Sequence, residues 1–429
     1  MRSELLELPL KSLCQLVVDC PHSTPVWTDS GVVVLRNQNI KGGRLDLSNP
    51  SFTDVDHYLG RVKRAIPQEN DLVITREAPM GEVCRLPAGL KCCLGQRQVL
   101  LRPAPDKVDS GYLLYALQSP YLQWQIGWSE GTGSTVSNLR IPVLEQLNVP
   151  VPPLRIQREV AQTLGALDER ITVLRETNKT LESIAQAIFK SWFVDFDPVR
   201  AKMEGRQPEG MDEETAALFP DSFEESKLGL IPKGWTSSTV GETFDLTMGQ
   251  SPPGDTYNTT GEGLPFYQGR TDFGFRFPSK RVFCTSPTRL ALDGDTLISV
   301  RAPVGDVNMA IGDCCIGRGV AAARHPLGYK GFTFYTMRQL GSEFKTYDSE
   351  GTVFGSINKK DFRALRVVAP GTDVLRIFDE TTAPLDSRIE NNEGTIRTLT
   401  SLRDSILPRL ISGQLRLPEA QEQVERTLS

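Results

Sequence analysis

The 429-residue sequence predicts an α+β protein with an internal pseudo-twofold repeat: two similar mixed α/β domains separated by long helices that form an antiparallel coiled coil. Self-similarity is the first observation. Residues 71–83 (DLVITREAPMGEV) match 295–307 (DTLISVRAPVGDV), and CCLG at Cys92 matches CCIG at Cys314. GYLLYAL from Gly111 answers GFTFYTM from Gly331, Glu130 to Asn138 answers Glu350 to Asn358, and Asp168-Glu-Arg-Ile171 answers Asp386-Ser-Arg-Ile389. Order is kept while the offset drifts by small steps, as loop insertions do to a duplicated domain. The second observation is two heptad seams, one closing each half.

Residues 1–150 form the first domain. They are dense in Gly and Pro, with short β-branched runs such as Gly31-Val-Val-Val-Leu35, which predicts a curved sheet and a few helices. Residues 151–204 carry the first long helix. After Val149-Pro-Val-Pro-Pro153, apolar residues fall at Leu164, Leu167, Ile171, Leu174, Leu181, Ala185, Ile188 and Trp192, interrupted only by Asn178. From Leu154 to Trp192 such a helix is roughly 58 Å long. Residues 205–232 are an acidic, turn-rich linker, and 233–370 the second domain, with its own strand at Asp295-Thr-Leu-Ile-Ser-Val300. Residues 371–415 repeat the helix through Phe378, Leu385, Ile389, Ile396, Leu399, Ile406 and Leu410. Asn392 and Arg403 intrude, Gly394 weakens the helix, and Pro408 should bend it near its end. Residues 416–429 are a tail.

The two seams specify a pairing. In an antiparallel pair the facing residue numbers sum to a constant; a sum of 570 sets Asn178 against Asn392, Leu174 against Ile396, Leu181 against Ile389, Ile171 against Leu399 and Leu164 against Ile406. The two polar intruders then satisfy each other, and one buried Asn pair fixes register at some expense in stability.

Composition limits the function. The net charge of −5 comes from 48 basic and 53 acidic residues, but the linker and the tail hold the excess acid. The two domains sit at 0 and +3, which permits phosphate binding through local patches. Eight cysteines never form a C-x-x-C pair, and with three histidines the chain offers no metal site; the cysteines read as reduced, buried thiols. No run approaches the roughly 18 apolar residues of a membrane helix, and the opening MRSELLELPLKSL lacks the basic start of a signal peptide, so a cytoplasmic chain without membrane contact is expected. No P-loop, G-x-S-x-G elbow, H-E-x-x-H helix, G-x-G-x-x-G turn or amino-methyltransferase tetrapeptide is present. Pro220-Asp221 with Glu225-Ser226-Lys227 imitates a nuclease metal site but reads as a surface turn. No catalytic residue is assigned.

Recognition of a surface remains. Base edges are read by Arg or Lys on guanine and Asn or Gln on adenine, with Ser, Thr and backbone amides holding phosphates. The first domain offers Arg36, Asn37, Gln38 and Asn39 with Lys41 and Arg44, then Gln96, Arg97 and Gln98, then Ser134, Thr135, Ser137 and Asn138. The second offers Gln268, Arg270 and Thr271, then Arg318, then Ser356, Asn358, Lys359 and Lys360. Two unequal domains on a stiff helical spacer suit double-stranded DNA with a split target, read about one turn (roughly 34–36 Å) apart. Deleting one heptad from each helix should then shorten the gap by about three base pairs. A self-contained DNA-modifying or DNA-cutting enzyme and a pure protein scaffold are the alternatives.

The pattern resembles the specificity subunits of Type I restriction-modification enzymes over nearly the whole chain. The likeness rests on the order of parts and on local signatures: Val151-Pro-Pro-Leu-Arg-Ile-Gln157 leading into Leu164-x-x-Leu-Asp-x-x-Ile171, Ala187-Ile-Phe-Lys-Ser-Trp-Phe193, Asp195-Phe-Asp-Pro-Val199, Gly229-x-Ile-Pro-x-Gly-Trp235 and Leu407-Pro-Arg-Leu-Ile-Ser-Gly-Gln414. The resemblance implies two target recognition domains, each reading half of a bipartite DNA sequence, and helices that dock two methyltransferase subunits. It further implies restriction motor-nuclease subunits in the same complex. S-adenosylmethionine, ATP and Mg would be used by those partners for adenine methylation and cleavage, and no cofactor would be bound by this chain. The base-reading residues are not carried over by the resemblance.

Overall fold

The computed structural model describes residues 6–128, 138–349 and 355–428. The chain divides into two compact units, Met1–Val173 with Thr395–Ser429, and Leu174–Gly394. This division cuts through both long helices: residues 154–173 and 395–411 belong to the first unit, residues 174–193 and 372–394 to the second.

In the first unit an antiparallel four-stranded sheet runs in the order Cys14–Asp19, Gln98–Pro103, Leu72–Thr75, Val83–Arg85. Beside it lies a three-stranded sheet, Ser51–Thr53, Val32–Leu35 and Cys92–Leu94, the last two parallel. The helices Ser110–Gln118 and Pro120–Trp128 follow, and the strand Asn148–Pro150 pairs with Glu7–Pro9.

The second unit contains the same order: Asp245–Met248, Val320–Arg324, Thr296–Ser299, Val307–Met309. Its second sheet also sets Leu264–Tyr267 parallel to Cys314–Ile316. Then come Lys330–Gln339, Gly341–Ser349 and the pair Thr236–Thr239 with Arg366–Ala369. The repeated CCLG and CCIG motifs have a steric basis at this point. A Cβ on Gly95 would lie 2.4 Å from the Leu35 carbonyl oxygen, so that strand closes only on glycine, while one on Gly317 would lie 3.1 Å from the Phe266 ring and would require the ring to shift.

The long helices are Leu154–Phe193 and Thr372–Ile411, 40 residues each, or about 60 Å at 1.5 Å per residue. The second runs unbroken through Gly394 and Pro408, and also through Pro384. Buried Phe378, Ile389, Ile396, Leu399 and Ile406 hold it there, because apolar packing outweighs local propensity. In the second unit the Asn392 amide donates to Asn178 Oδ1 at 2.7 Å, and Asn178 donates to Glu393 at 3.0 Å. Both asparagines are buried, so the register rests on a satisfied polar pair. Leu164, Leu167, Ile171 and Leu174 are buried, while Leu181, Ile188 and Leu385 are half-buried. In the first unit Arg403, which interrupts the apolar seam, reaches Asp168 at 2.7 Å.

The acidic stretch 205–232 is more ordered than a linker. It holds a short helix, Glu213–Ala217, and a hairpin of Phe223–Ser226 with Gly229–Pro232. Phe219 is fully buried, 5.2 Å from the ring of Trp192. Charge suggested solvent, but the few aromatic residues in the stretch decide its packing. The Phe189, Trp192, Phe193, Phe196 and Val199 side chains of the two helix-end signatures join Trp235 and Phe378 in the core of the second unit, which makes those signatures structural.

Candidate nucleic-acid interface

Most of the described candidate residues of each unit lie on or next to three turns joined by main-chain hydrogen bonds. In the first unit Gly95 N–H donates to Leu35 O (2.8 Å), Arg76 N–H to Arg97 O (2.8 Å) and Leu139 N–H to Arg76 O (2.9 Å). These bonds align the turns of Arg36, Arg97 and Asn138 at one end of the sheets. The second unit repeats the row: Gly317 N–H to Tyr267 O (2.8 Å), Val300 N–H to Gly319 O (2.9 Å) and Ile357 N–H to Val300 O (3.1 Å). There Gln268, Arg318 and Ser356 come together.

Within these rows the side chains divide by whether the fold already uses them. In the first unit Gln38 and Lys41 are exposed, and the Arg36 guanidinium lies 5.4 Å from the ring centroid of Trp27, itself 46% exposed. Arg97 is exposed and pairs with Glu77 at 3.1 Å, while Gln96 donates to the His22 carbonyl. Four expectations need correction. Asn39 is buried: its Oδ1 accepts from Arg36 N–H and its amide donates to Asp46 O, so it closes the turn instead of facing a base. Gln98 is fully buried, its Oε1 accepting from Gly95 N–H. Asn37 donates to the Glu77 carbonyl. Arg44 is drawn to the first long helix, donating to the Asp168 carbonyl oxygen at 2.7 Å and its carboxylate at 3.3 Å. Ser134, Thr135 and Ser137 lie outside the described residues, and Asn138 is half-buried.

In the second unit Gln268, Thr271, Arg318, Ser356, Lys359 and Lys360 are exposed. Arg270 is exposed but ion-paired with Asp306. Asn358 needs correction: its Oδ1 accepts from Asp361 N–H at 3.0 Å, so it caps the helix Lys359–Ala364. Sequence reasoning missed two members of this surface. Arg301 is exposed and bridged through its backbone to Ser356, at the place where the first unit has Glu77. Trp27 gives the first unit an exposed aromatic face. The signal for Arg301 was a charge reversal, Glu77 to Arg301, inside an otherwise well-matched repeat.

Each unit also has a polar joint between its sheets and its helices. In the first, Asp168 accepts from Tyr115 OH (2.8 Å), Arg403 (2.7 Å) and Arg44. Burial pushes the Tyr115 hydroxyl far above the usual phenol range, and the adjacent Asp168 carboxylate adds to the effect. In the second, Arg276 is fully buried and donates to Asp386 (2.8 Å), Tyr335 OH (2.8 Å) and Glu182, with its guanidinium 4.0 Å from the Phe334 ring centroid. Burial raises the Asp386 carboxyl, and Arg276 pulls it the other way. All eight cysteines are free. Burial pushes Cys14, Cys84, Cys92 and Cys314 up to about 12, which leaves them poor nucleophiles at neutral pH. Among the described residues no group of three or more His, Cys, Asp or Glu side chains could hold a metal ion, and no helix is long and apolar enough to cross a membrane.

Residues 25–183 match the family described as the Type I restriction modification DNA specificity domain. The chain is 29% identical, over 75% of its length and 72% of the other protein, to the putative type I restriction enzyme MjaX specificity subunit of Methanocaldococcus jannaschii. Over most of its length the chain is thus similar to Type I restriction enzyme specificity subunits. Another similar protein, the HindI specificity subunit of Haemophilus influenzae, is 24% identical over 67% of this chain and 73% of its own. The fold agrees with the solved S subunit of a Type I restriction-modification system from M. genitalium: TM-score 0.57, 17% identity, 96% of this chain and 97% of that one. The paired turn rows of this chain thus stand on two copies of one mixed α/β topology.

Proposed function

We propose that this chain is the DNA sequence-recognition subunit of a Type I restriction-modification complex and performs no catalysis itself. Each turn row reads one half of a bipartite target, and the long helices set the gap and dock two methyltransferase subunits. Restriction motor-nuclease subunits complete the assembly in the cytoplasm, and S-adenosylmethionine, ATP and Mg serve those partners. The observation that carries the reading is the repetition of one row of turns in two units, with solvent-facing Arg36, Gln38 and Arg97 in the first and Gln268, Arg318 and Ser356 in the second. Such side chains read base edges and hold phosphates. Their chemistry differs between the units, Glu77 in one where Arg301 stands in the other, so the two half-sites should differ in sequence.

Single-molecule sequencing of methylated adenines, in cells that carry the intact complex, tests this directly. A single split motif with a fixed gap is expected, and it should vanish when this chain is deleted. Methylation that persists, or a motif without a gap, overturns the reading.

A further inference from the structure

Arg276 has no access to solvent, yet it carries a full charge. Its guanidinium reaches Glu182 on the first long helix, Asp386 on the second, and Tyr335 on the helix Lys330–Gln339. Arg338 of that same helix also binds Glu182, at 2.8 Å. Residue 276 itself lies in a loop held to the recognition sheet, its carbonyl accepting from Met309 N–H of the strand Val307–Met309. One rigid fork therefore touches both helices and the recognition region together. Apolar residues of similar volume often match or exceed a buried ion cluster in stability. What the guanidinium adds is direction, because its donors leave in fixed lines within one plane.

The first unit has a joint of the same kind at the equivalent place. Asp168 and Asp386 are repeat partners, as are Tyr115 and Tyr335. Asp168 gathers Tyr115 from the recognition region's helix, Arg44 from the short hairpin after its 3-10 turn, and Arg403 from the second long helix. Two copies thus fasten the recognition region to both helices through a charge-assisted cluster, although the residue at the centre differs.

We propose that Arg276, and Asp168 in the other unit, are positioning residues that lock the angle of each recognition region on its helices and so restrict the complex to one gap length. The inference rests on the DNA-reading function proposed above. Binding two half-sites together gains effective concentration only when their separation matches the heads, so freedom at a joint should appear as tolerance of neighbouring gaps.

The test uses the complex isolated through a tag on this chain and a pool of random-sequence duplexes selected by binding and sequenced. Two variants are compared with the parent: Arg276→Met, and Glu182→Gln/Arg276→Met/Asp386→Asn, which leaves no unpaired buried charge and keeps the fold testable. The parent should select one pair of half-sites at one gap. Both variants should select the same half-sites, with duplexes one base pair shorter or longer enriched about tenfold relative to the parent. A folded triple variant with the parent's single gap overturns the joint and leaves the DNA-reading function intact. Altered half-sites at an unchanged gap would make Arg276 a reading residue and equally overturn it. A parent complex that selects no split motif brings down the function itself.

Discussion

The two joints solve one mechanical problem with opposite charges at the centre. In the first unit a carboxylate, Asp168, collects two arginines and a tyrosine, and its side chain is 20% exposed. In the second a guanidinium, Arg276, collects two carboxylates and a tyrosine, and its side chain is 1% exposed. The duplicated Asp and Tyr are common to both. Two members changed: the recognition-region arginine lies against the helix surface as Arg44 in one unit and is engulfed by Phe334 and Tyr335 as Arg276 in the other, and the remaining helix partner is Arg403 in the first but Glu182 in the second. The first joint is therefore wet and the second dry, so the same type of deletion should cost different amounts.

Arg276→Ala is the most disruptive change expected. It leaves Asp386 without its guanidinium and the buried Glu182 with Arg338 alone, and loss of one partner of a buried pair costs about 3–5 kcal/mol. Asp168→Ala should cost about 1–3 kcal/mol, because Arg44 and Arg403 can hydrate. Chemical denaturation with hydrogen exchange on each unit measures the difference, and equal losses would erase the wet-dry distinction.

Next in size is the register pair of the second unit. Asn178→Leu leaves the Asn392 amide buried without its acceptor, at about 1–3 kcal/mol. The double variant Asn178→Leu/Asn392→Leu should recover most of that loss and stabilise helix pairing while weakening register specificity. A double-mutant cycle showing simple additivity would mean that the two asparagines act independently.

The pH response should also separate the units. Asp379 accepts from Phe332 N–H at 2.9 Å, and burial raises its carboxyl to about 6, whereas the repeat partner of Asp379 in the first unit is Ala161. The folded state holds this proton more tightly than an unfolded chain with an aspartate near ~3.9. Between about pH 4 and 6 the folded state binds more protons, so stability falls as pH rises, by an amount on the order of 2 kcal/mol. Asp379→Asn keeps an acceptor for Phe332 and should flatten that slope. A slope of unchanged size would place the responsible group elsewhere.

The smallest expected effects concern DNA. Arg301→Ala should relax discrimination in one half-site by about 1–2 kcal/mol. Lys359→Ala/Lys360→Ala should weaken all sequences alike, mostly by lowering the salt slope by about 2. Titrations of half-site variants at several salt concentrations distinguish the two, and equal effects would contradict the division into reading and holding residues.

Much of the architecture was legible because it is periodic. The repeat, the heptad seams and the Asn178 to Asn392 register follow from spacing, and spacing survives in one dimension. The reading surface was legible only in part. Asn39 and Asn358 have the same chemistry as Gln268, yet the first two satisfy backbone groups of their own turns while the third faces solvent. Short polar side chains can serve either end, and only their neighbours decide which. Arg276 was hidden for a different reason: an arginine in FGFRF reads as an exposed charge among core aromatics, and its carboxylate partners lie 94 and 110 positions away.

By itself, then, the sequence determined that there are two copies of one domain, that each leads into a helix, and how those helices register, because hydrophobic period and a single polar interruption are local properties. The tertiary structure alone decided which arginines face solvent and which are locked to the helices, because the free energy of a charged group depends on what surrounds it. Distant segments supply those surroundings, and no short stretch of sequence contains them.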